Sequence, residues 1–356
     1  MKFEKLSGKN KVIYEGLWGN GERLEMDIEP NSKNDITTYK IVGEEDTNGE
    51  AIQKAFRISN KEAFVRQYKK AISGNGDEKR KILTLHSSSK CSLLCFYNVK
   101  EKPITINIDD KDIVFDFSTF EFKNPVIRYP SNMDVVLLSE DRKTVLFLES
   151  KFSEYYISVE NVSSFISDSY KTNEFSGPIY ENISDIGLGL CSASLNYKDL
   201  KGIEKERKGF KLYTIDKSLN YLDGIKQLIS HYVGVRRRIR DIVDDKLKAD
   251  TATEQDIEIS TEILNAIRNS ESKVYLGEIL FDKFVLPQGC KEEDPVSILE
   301  RYSVLYKKLA MLLNNEIAVN GLADKFKVID KAIKYSEVIS RNKNQIEKET
   351  LKFYGI

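Results

Sequence analysis

Three charged residues sit where apolar strands leave little room for charge. Asp134 opens the run M-D-V-V-L-L; after fourteen residues, Glu149 and Lys151 close T-V-L-F-L-E-S-K with Ser150 between them. Side chains alternate along a strand, so Glu149 and Lys151 point to one side, and Ser150, Leu146 and Leu148 to the other. Burying a carboxylate and an ammonium is costly unless they are paired or at work. If 133–138 and 144–151 pair through the turn S-E-D-R-K, Asp134 reaches the same rim. Two carboxylates and an amine there suit metal-assisted phosphodiester hydrolysis. Mg²⁺ takes hard oxygen ligands, often one or two carboxylates beside water and phosphate. The metal activates a water and neutralises charge on the phosphate oxygens. An ammonium alongside can position that water and stabilise developing negative charge.

The elements around these residues are legible in outline. The first 80 residues read as mainly β: V-I-Y-E-G-L-W and R-L-E-M-D-I-E flank a turn-like G-N-G at 19–21. A helix follows over N-K-E-A-F-V-R-Q-Y-K-K-A-I, with Asn60 as its N-cap, and S-G-N-G-D-E-K-R-K at 73–81 marks a boundary. A serine run enters a helix over 85–99, whose Ser88, Cys91, Ser92 and Cys95 make a face small enough to pack closely on a sheet. Residues 104–117 predict a hairpin around D-D-K, continued by F-E-F at 120–122 and a kinked stretch holding Pro125 and Pro130. Beyond Lys151 come a helical region near 159–170, the strand F-K-L-Y-T-I at 210–215, and an amphipathic helix from Asp223 to about Lys248. A helix over E-Q-D-I-E-I-S-T-E-I-L-N-A-I-R-N, a strand K-V-Y-L-G-E-I-L-F, and helices over 295–315 and 323–348 complete the chain.

Asp134, fourteen residues, then Glu149-Ser-Lys151 resembles the motif of the PD-(D/E)XK nuclease superfamily, which includes restriction endonucleases and repair nucleases. The resemblance implies an α/β fold with a restriction-endonuclease-like αβββαβ core. In this chain the core elements would be the helix at 86–98, strands near 112–122, 133–138 and 144–151, a helix near 160–170, and F-K-L-Y-T-I. It divides the chain into a β-rich N-terminal extension (1–80), the nuclease-like core (81–285) and a C-terminal helical region (286–356). It implies that Asp134 and Glu149 bind Mg²⁺ or Mn²⁺ and that Lys151 is the catalytic lysine. The motif's proline is displaced: Met133 precedes the aspartate, and Pro130 lies four residues upstream. The first core helix has no acidic residue between His86 and Asn98, so Glu121 is the substitute for the carboxylate many members place there. Gln227 resembles the glutamine some members carry on a nearby helix.

Composition sets the outer bounds. With 55 Lys+Arg against 56 Asp+Glu in 356 residues, the net charge is −1, so any nucleic acid must be met by a local patch. Arg236, Arg237 and Arg238 in R-R-R-I-R offer one, because phosphate contacts come mainly from Arg and Lys. Taken alone, that run reads as a solvated helix face balanced by D-I-V-D-D-K. Gln227, His231, Gly234 and Arg238 share a stripe at helical spacing, with His231 assigned to nucleic-acid contact and otherwise reading as a packed histidine. The N-terminus carries no secretory signal and there is no 18-residue apolar stretch, so the expectation is a cytoplasmic protein with no membrane span. Four scattered cysteines read as reduced core residues. The expected function is a metal-dependent nuclease acting on DNA, in defence or repair by family inference, with a homodimer compatible. The main rival is a catalytically inactive member of the fold that binds nucleic acid or protein. A nucleotide-handling enzyme is disfavoured by the lack of a Gly-rich phosphate loop, and a Schiff-base lysine by the lack of repeated βα units.

Overall fold

The computed structural model describes residues 28–30, 39–43, 48–73, 79, 81–124, 131–156, 165–198, 202–217, 219, 222–243, 254–284 and 293–355. Near the N-terminus, β1 (Ile28–Pro30) pairs antiparallel with β2 (Tyr39–Ile41), followed by helices α1 (Glu50–Ala55) and α2 (Lys61–Ala71). Asn60 caps α2 by accepting from Ala63 N at 3.1 Å. All but the last two residues of the hairpin expected over 12–29, the boundary at 74–78 and the Pro125–Pro130 stretch lie outside the described residues.

Among the described residues, seven strands form one mixed sheet. β3 (Ile104–Ile108) and β4 (Lys111–Asn124) are joined by Asp109 and Asp110, both at positive φ (52° and 61°), which suits the twist of a two-residue hairpin turn. β5 (Ser131–Ser139) pairs with β4, and β6 (Thr144–Lys151) with β5, all antiparallel. β10 (Lys273–Leu280) then lies parallel to β6. Short strands β11 (Phe326–Val328) and β12 (Ile333–Lys334) both run parallel to β10.

Helices cover both sides of the β6 region. α3 (Ser88–Phe96), entered through Ser87 accepting from Lys90 N, packs on the Ser150 face, where Ser150 Oγ donates to Ser88 O at 3.1 Å. Cys91, Ser92 and Cys95 are buried there, which fits the small-residue face read from the sequence. On the Glu149 face lies α6 (Asp223–Val243), in contact with β4, β5 and β10. Every residue of β6 is buried, so the strand has no solvent face on which a charge could sit cheaply.

Four expectations need correction. F-K-L-Y-T falls in β9 (Glu204–Thr214), which pairs with β7 (Phe165–Ser167) and β8 (Leu188–Lys198) in a separate three-stranded sheet. The strand beside β6 is β10 instead. A parallel strand covered on both faces must be apolar nearly throughout, as K-V-Y-L-G-E-I-L is with seven of eight residues buried, whereas β9 alternates. Of the helical region expected near 159–170, residues 159–164 lie outside the described residues, 165–167 are strand, and 168–170 open α4 (Asp168–Lys171). The C-terminal region is not wholly helical. After α8 (Pro295–Val319) it gives β11 and β12 to the main sheet before α9 (Tyr335–Arg341) and α10 (Lys348–Phe353). Its short β-branched runs, F-K-V and I-K, offer too few helical turns to resist pairing with β10. Cys191, expected in the core, is exposed on β8. The remaining helices of the central region are α5 (Gly177–Glu181) and α7 (Glu254–Arg268), and no helix among the described residues is long and apolar enough to cross a membrane.

Candidate functional site

Strand register brings the three motif residues together. Val135 pairs with Leu148 and Val136 with Phe147, so one step further Asp134 stands across from Glu149. Asp134 Oδ2 accepts from Ser150 N at 2.7 Å, and Lys151 Nζ donates to Glu149 Oε1 at 2.6 Å. Glu149 and Lys151 are 4 % and 5 % exposed, while Asp134 is half-buried. Glu121 flanks Asp134 on β4, between the pairs Phe120↔Val135 and Phe122↔Met133, at the left-handed φ of 50°. A non-glycine residue costs about 1–3 kcal/mol in that conformation and is held there only by its surroundings.

A fourth carboxylate joins from the other side. Glu278 on β10 is the register partner of Glu149, and Leu280 of Lys151. Glu278 is fully buried; its Oε2 accepts from Tyr302 on α8 at 2.8 Å, and its Oε1 has no hydrogen-bond partner among the described residues. The motif does not include it, yet the sequence holds a signal: a lone carboxylate in V-Y-L-G-E-I-L-F raises the same cost question as E-S-K.

Each carboxylate answers to different neighbours. Burial pushes the Glu149 carboxyl up, but Lys151 and His231 more than offset this and hold it at about 2. Asp134 is driven well above the ordinary range by burial and by the nearby charges of Glu149 and Glu121, with Lys151 and the Ser150 N–H opposing. Burial lifts Glu278 to about 7 against the pull of Lys151 and the Tyr302 hydroxyl. One carboxylate is therefore fixed as the anion, and two are poised to take a proton or a cation.

His231 takes a place that its spacing did not disclose. It is buried on α6, with Nδ1 against Ser131 Oγ and Nε2 3.0 Å from Glu149 Oε2. The second contact is at ion-pair distance but off the line of an aligned hydrogen bond. Both Glu149 oxygens thus face a nitrogen, and Ser131, at the start of β5, steadies the ring from behind. At 5 % exposure His231 is packed against Glu149 and Ser131 rather than set out on an open surface patch. Gln227, one turn earlier on α6, is half-buried with an amide oxygen that finds no hydrogen bond.

The three arginines split. Arg236 is 5 % exposed, donates to Tyr232 OH at 2.8 Å and lies 4.4 Å over the Phe175 ring, so its guanidinium is spent inside the protein. That corrects its assignment to phosphate. Arg237 is half-buried, and half-buried Arg238 donates to Lys123 O at 2.9 Å across the Phe122 ring. Helix periodicity explains the split, because α6 buries one side along its length and R-R-R-I-R winds around it.

Asp134, Glu121, Glu149 and Glu278 feel one another's charge and that of Lys151 against a dry sheet, an arrangement able to exchange protons. Among the described residues, no three histidine, cysteine or acidic side chains form a ready-made metal group. No family model matches this chain, and neither the curated proteins nor the solved structures compared with it give a match.

Proposed function

We propose that this protein is a metal-dependent nuclease with a restriction-endonuclease-like core, acting on DNA. The observation that carries the reading is the position of Asp134 and Glu149 one step beyond the Val135–Leu148 pair of adjacent antiparallel strands, with Lys151 two residues on at the same rim. The element order supports it: α3, β4, β5, β6, α6, then β10 parallel to β6 follow an αβββαβ sequence, with β3 added before β4, the β7–β9 sheet inserted between β6 and α6, and α7 between α6 and β10.

The donor set suits Mg²⁺ or Mn²⁺, which prefer carboxylate oxygen. Asp134, Glu149 and Glu121 crowd like charges together, and a divalent cation relieves that crowding, so Asp134 and Glu149 would hold it with Glu121 in support. When bound, the ion supplies a water of lowered pKa and neutralises charge on the scissile phosphate. The chain's own residues do the rest. Lys151 keeps Glu149 ionised before substrate arrives and presents its ammonium where the attacking water and the phosphate oxygens converge. Glu149 must turn one oxygen away from Lys151 or His231 to reach a metal, and Ser131 keeps His231 in place while it does so. Sheet and helices exclude bulk water, which strengthens each of these interactions.

A second reading draws on the same contacts. Because both Glu149 oxygens already face nitrogens, the site could be locked, leaving a catalytically inactive fold that binds nucleic acid or a partner protein. Incubating the protein with plasmid, single-stranded DNA and RNA, in Mg²⁺, Mn²⁺ or EDTA, separates the two. Metal-dependent cleavage supports the nuclease, and binding without cleavage in any metal supports the inactive fold.

A further inference from the structure

The three-stranded sheet carries a feature that the carboxylate site does not use. β9 reads E-K-E-R-K-G-F-K-L-Y-T, and alternation sends Lys205, Arg207, Gly209, Lys211 and Tyr213 to one face. Register places Leu195, Ala193, Cys191 and Gly189 of β8 beside the last four of these. Neither strand puts a carboxylate on this face, since Glu204 and Glu206 point to the other side. At the end nearer the core, the opposite face is the one packed inward, through Ile166, Leu188 and Leu212. The cationic face is open along part of its length: Lys205 and Cys191 are exposed, Arg207 and Lys211 half-buried, and Gly209 lies buried under the Phe165 ring of β7, the register partner of Lys211.

Tyr213 adds an aromatic surface. Its pairing partner is Gly189, and a Cβ built at Gly189 would fall 2.2 Å from Tyr213 Cζ, so the ring lies across the glycine. Tyr213 is still 46 % exposed, so part of it stays open to solvent. Alternate positions from 205 to 213 set out cation, cation, glycine, cation and aromatic over about 27 Å of strand.

We propose that this outer face of the β7–β9–β8 sheet is a docking surface for single-stranded nucleic acid, with phosphates on Lys205, Arg207 and Lys211 and a base stacked on Tyr213. Charge complementarity selects a polyanion. The open ring selects an unpaired strand, because a base in a duplex has its faces covered by its neighbours, while any unpaired base can stack on an aromatic. The inference goes beyond the proposed nuclease activity and leans on it only for purpose: the sheet would hold a strand whose cleavage occurs elsewhere on the chain.

The test is fluorescence anisotropy with a labelled 20-nucleotide single strand, its duplex and the matching RNA, in EDTA so that cleavage cannot intervene. Wild-type protein should bind the single strands more tightly than the duplex, and more weakly as salt rises. Arg207→Gln with Lys211→Gln should weaken binding at least 10-fold and lower the log–log salt slope by about 1.4, which is 0.7 for each phosphate left without its cation. Tyr213→Ala should weaken it by about 5- to 150-fold with the slope unchanged, and Tyr213→Phe should bind as wild type. Glu204→Gln with Glu206→Gln, on the opposite face, should not weaken binding, and circular dichroism confirms that each variant is folded. Unchanged affinity in the Arg207/Lys211 variant, a neutral Tyr213→Ala, tighter binding to duplex, or equal binding to anionic vesicles would each overturn the proposal. Cleavage is scored separately in Mg²⁺ and Mn²⁺, so an inert but strand-binding protein sinks the nuclease reading and leaves this one standing.

Discussion

Glu149 on β6 and Glu278 on β10 are register partners in parallel strands, so two buried carboxylates stand side by side on one face of the sheet. Glu149 faces Lys151 and His231, whereas among the described residues the Glu278 carboxylate has only a neutral tyrosine hydroxyl within bonding distance. The pair is therefore asymmetric: one carboxylate is held as an anion at about 2, the other lifted to about 7.

That asymmetry gives a stability signature. A folded Glu278 near 7, against about 4.3 in an unfolded chain, keeps a proton that the unfolded chain gives up. Stability is therefore lost as pH rises from about 4 to about 7, and the deficit stays constant above that. Glu278→Gln keeps an acceptor for Tyr302 and removes the titration. Urea unfolding should show the variant more stable at pH 8 by up to about 3 kcal/mol, with the gain vanishing near pH 4. A gain independent of pH would contradict the assignment.

His231 should matter to Glu149 before any substrate is present. Removing it strips one nitrogen partner from a buried carboxylate, and breaking one side of a buried pair costs about 3–5 kcal/mol. His231→Ala should fall near the lower end, because Lys151 remains, and His231→Gln should lose less. Ser131→Ala should lose less again, about 1 kcal/mol, because it acts on Glu149 only through the ring. Denaturant midpoints of the three variants check the order.

Glu121 sets stability against function. Glycine takes the left-handed conformation without strain, so Glu121→Gly should raise stability by about 1 kcal/mol. If Glu121 supports the metal, the same variant loses cleavage rate and weakens Mn²⁺ binding in calorimetry. A variant that is more stable and fully active would show the carboxylate to be idle.

Lys90 is a second buried charge, on the far side of the sheet. It is fully buried, donates to Thr84 O, lies 5.1 Å over the Phe353 ring, and is lowered by burial to about 7. The unfolded chain keeps this proton up to about 10.4, so Lys90 costs stability below that pH, in full below about 7. Lys90→Met should stabilise the protein by a few kcal/mol at pH 6, with the gain shrinking toward pH 10. Thermal melts across that range decide it.

Much of this was legible in the residues. The hairpin at Asp109-Asp110, the Asn60 cap, the small face of α3 and the pairing of β5 with β6 all follow from local rules, and those rules brought Asp134, Glu149 and Lys151 to one rim. What escaped was long-range. Assigning F-K-L-Y-T to the core rested on its position in the chain, and nothing local separates a strand that continues a sheet from one that starts another. The burial of His231 and Arg236 depends on which side of α6 meets the sheet, and the stripe through Gln227 and His231 looked polar because its partner, Glu149, is polar too. Glu278 stands more than a hundred residues beyond the motif, and only the parallel pairing of β10 with β6 brings it to Glu149.

The most direct measurement is single-turnover cleavage of labelled DNA in Mn²⁺ by wild type, Asp134→Asn and Lys151→Gln, each confirmed as folded. Wild type should cut only with metal present. Either substitution should slow cutting by at least 100-fold, a loss of about 2.7 kcal/mol of transition-state stabilisation. Cleavage that persists at the wild-type rate in both variants would contradict the account.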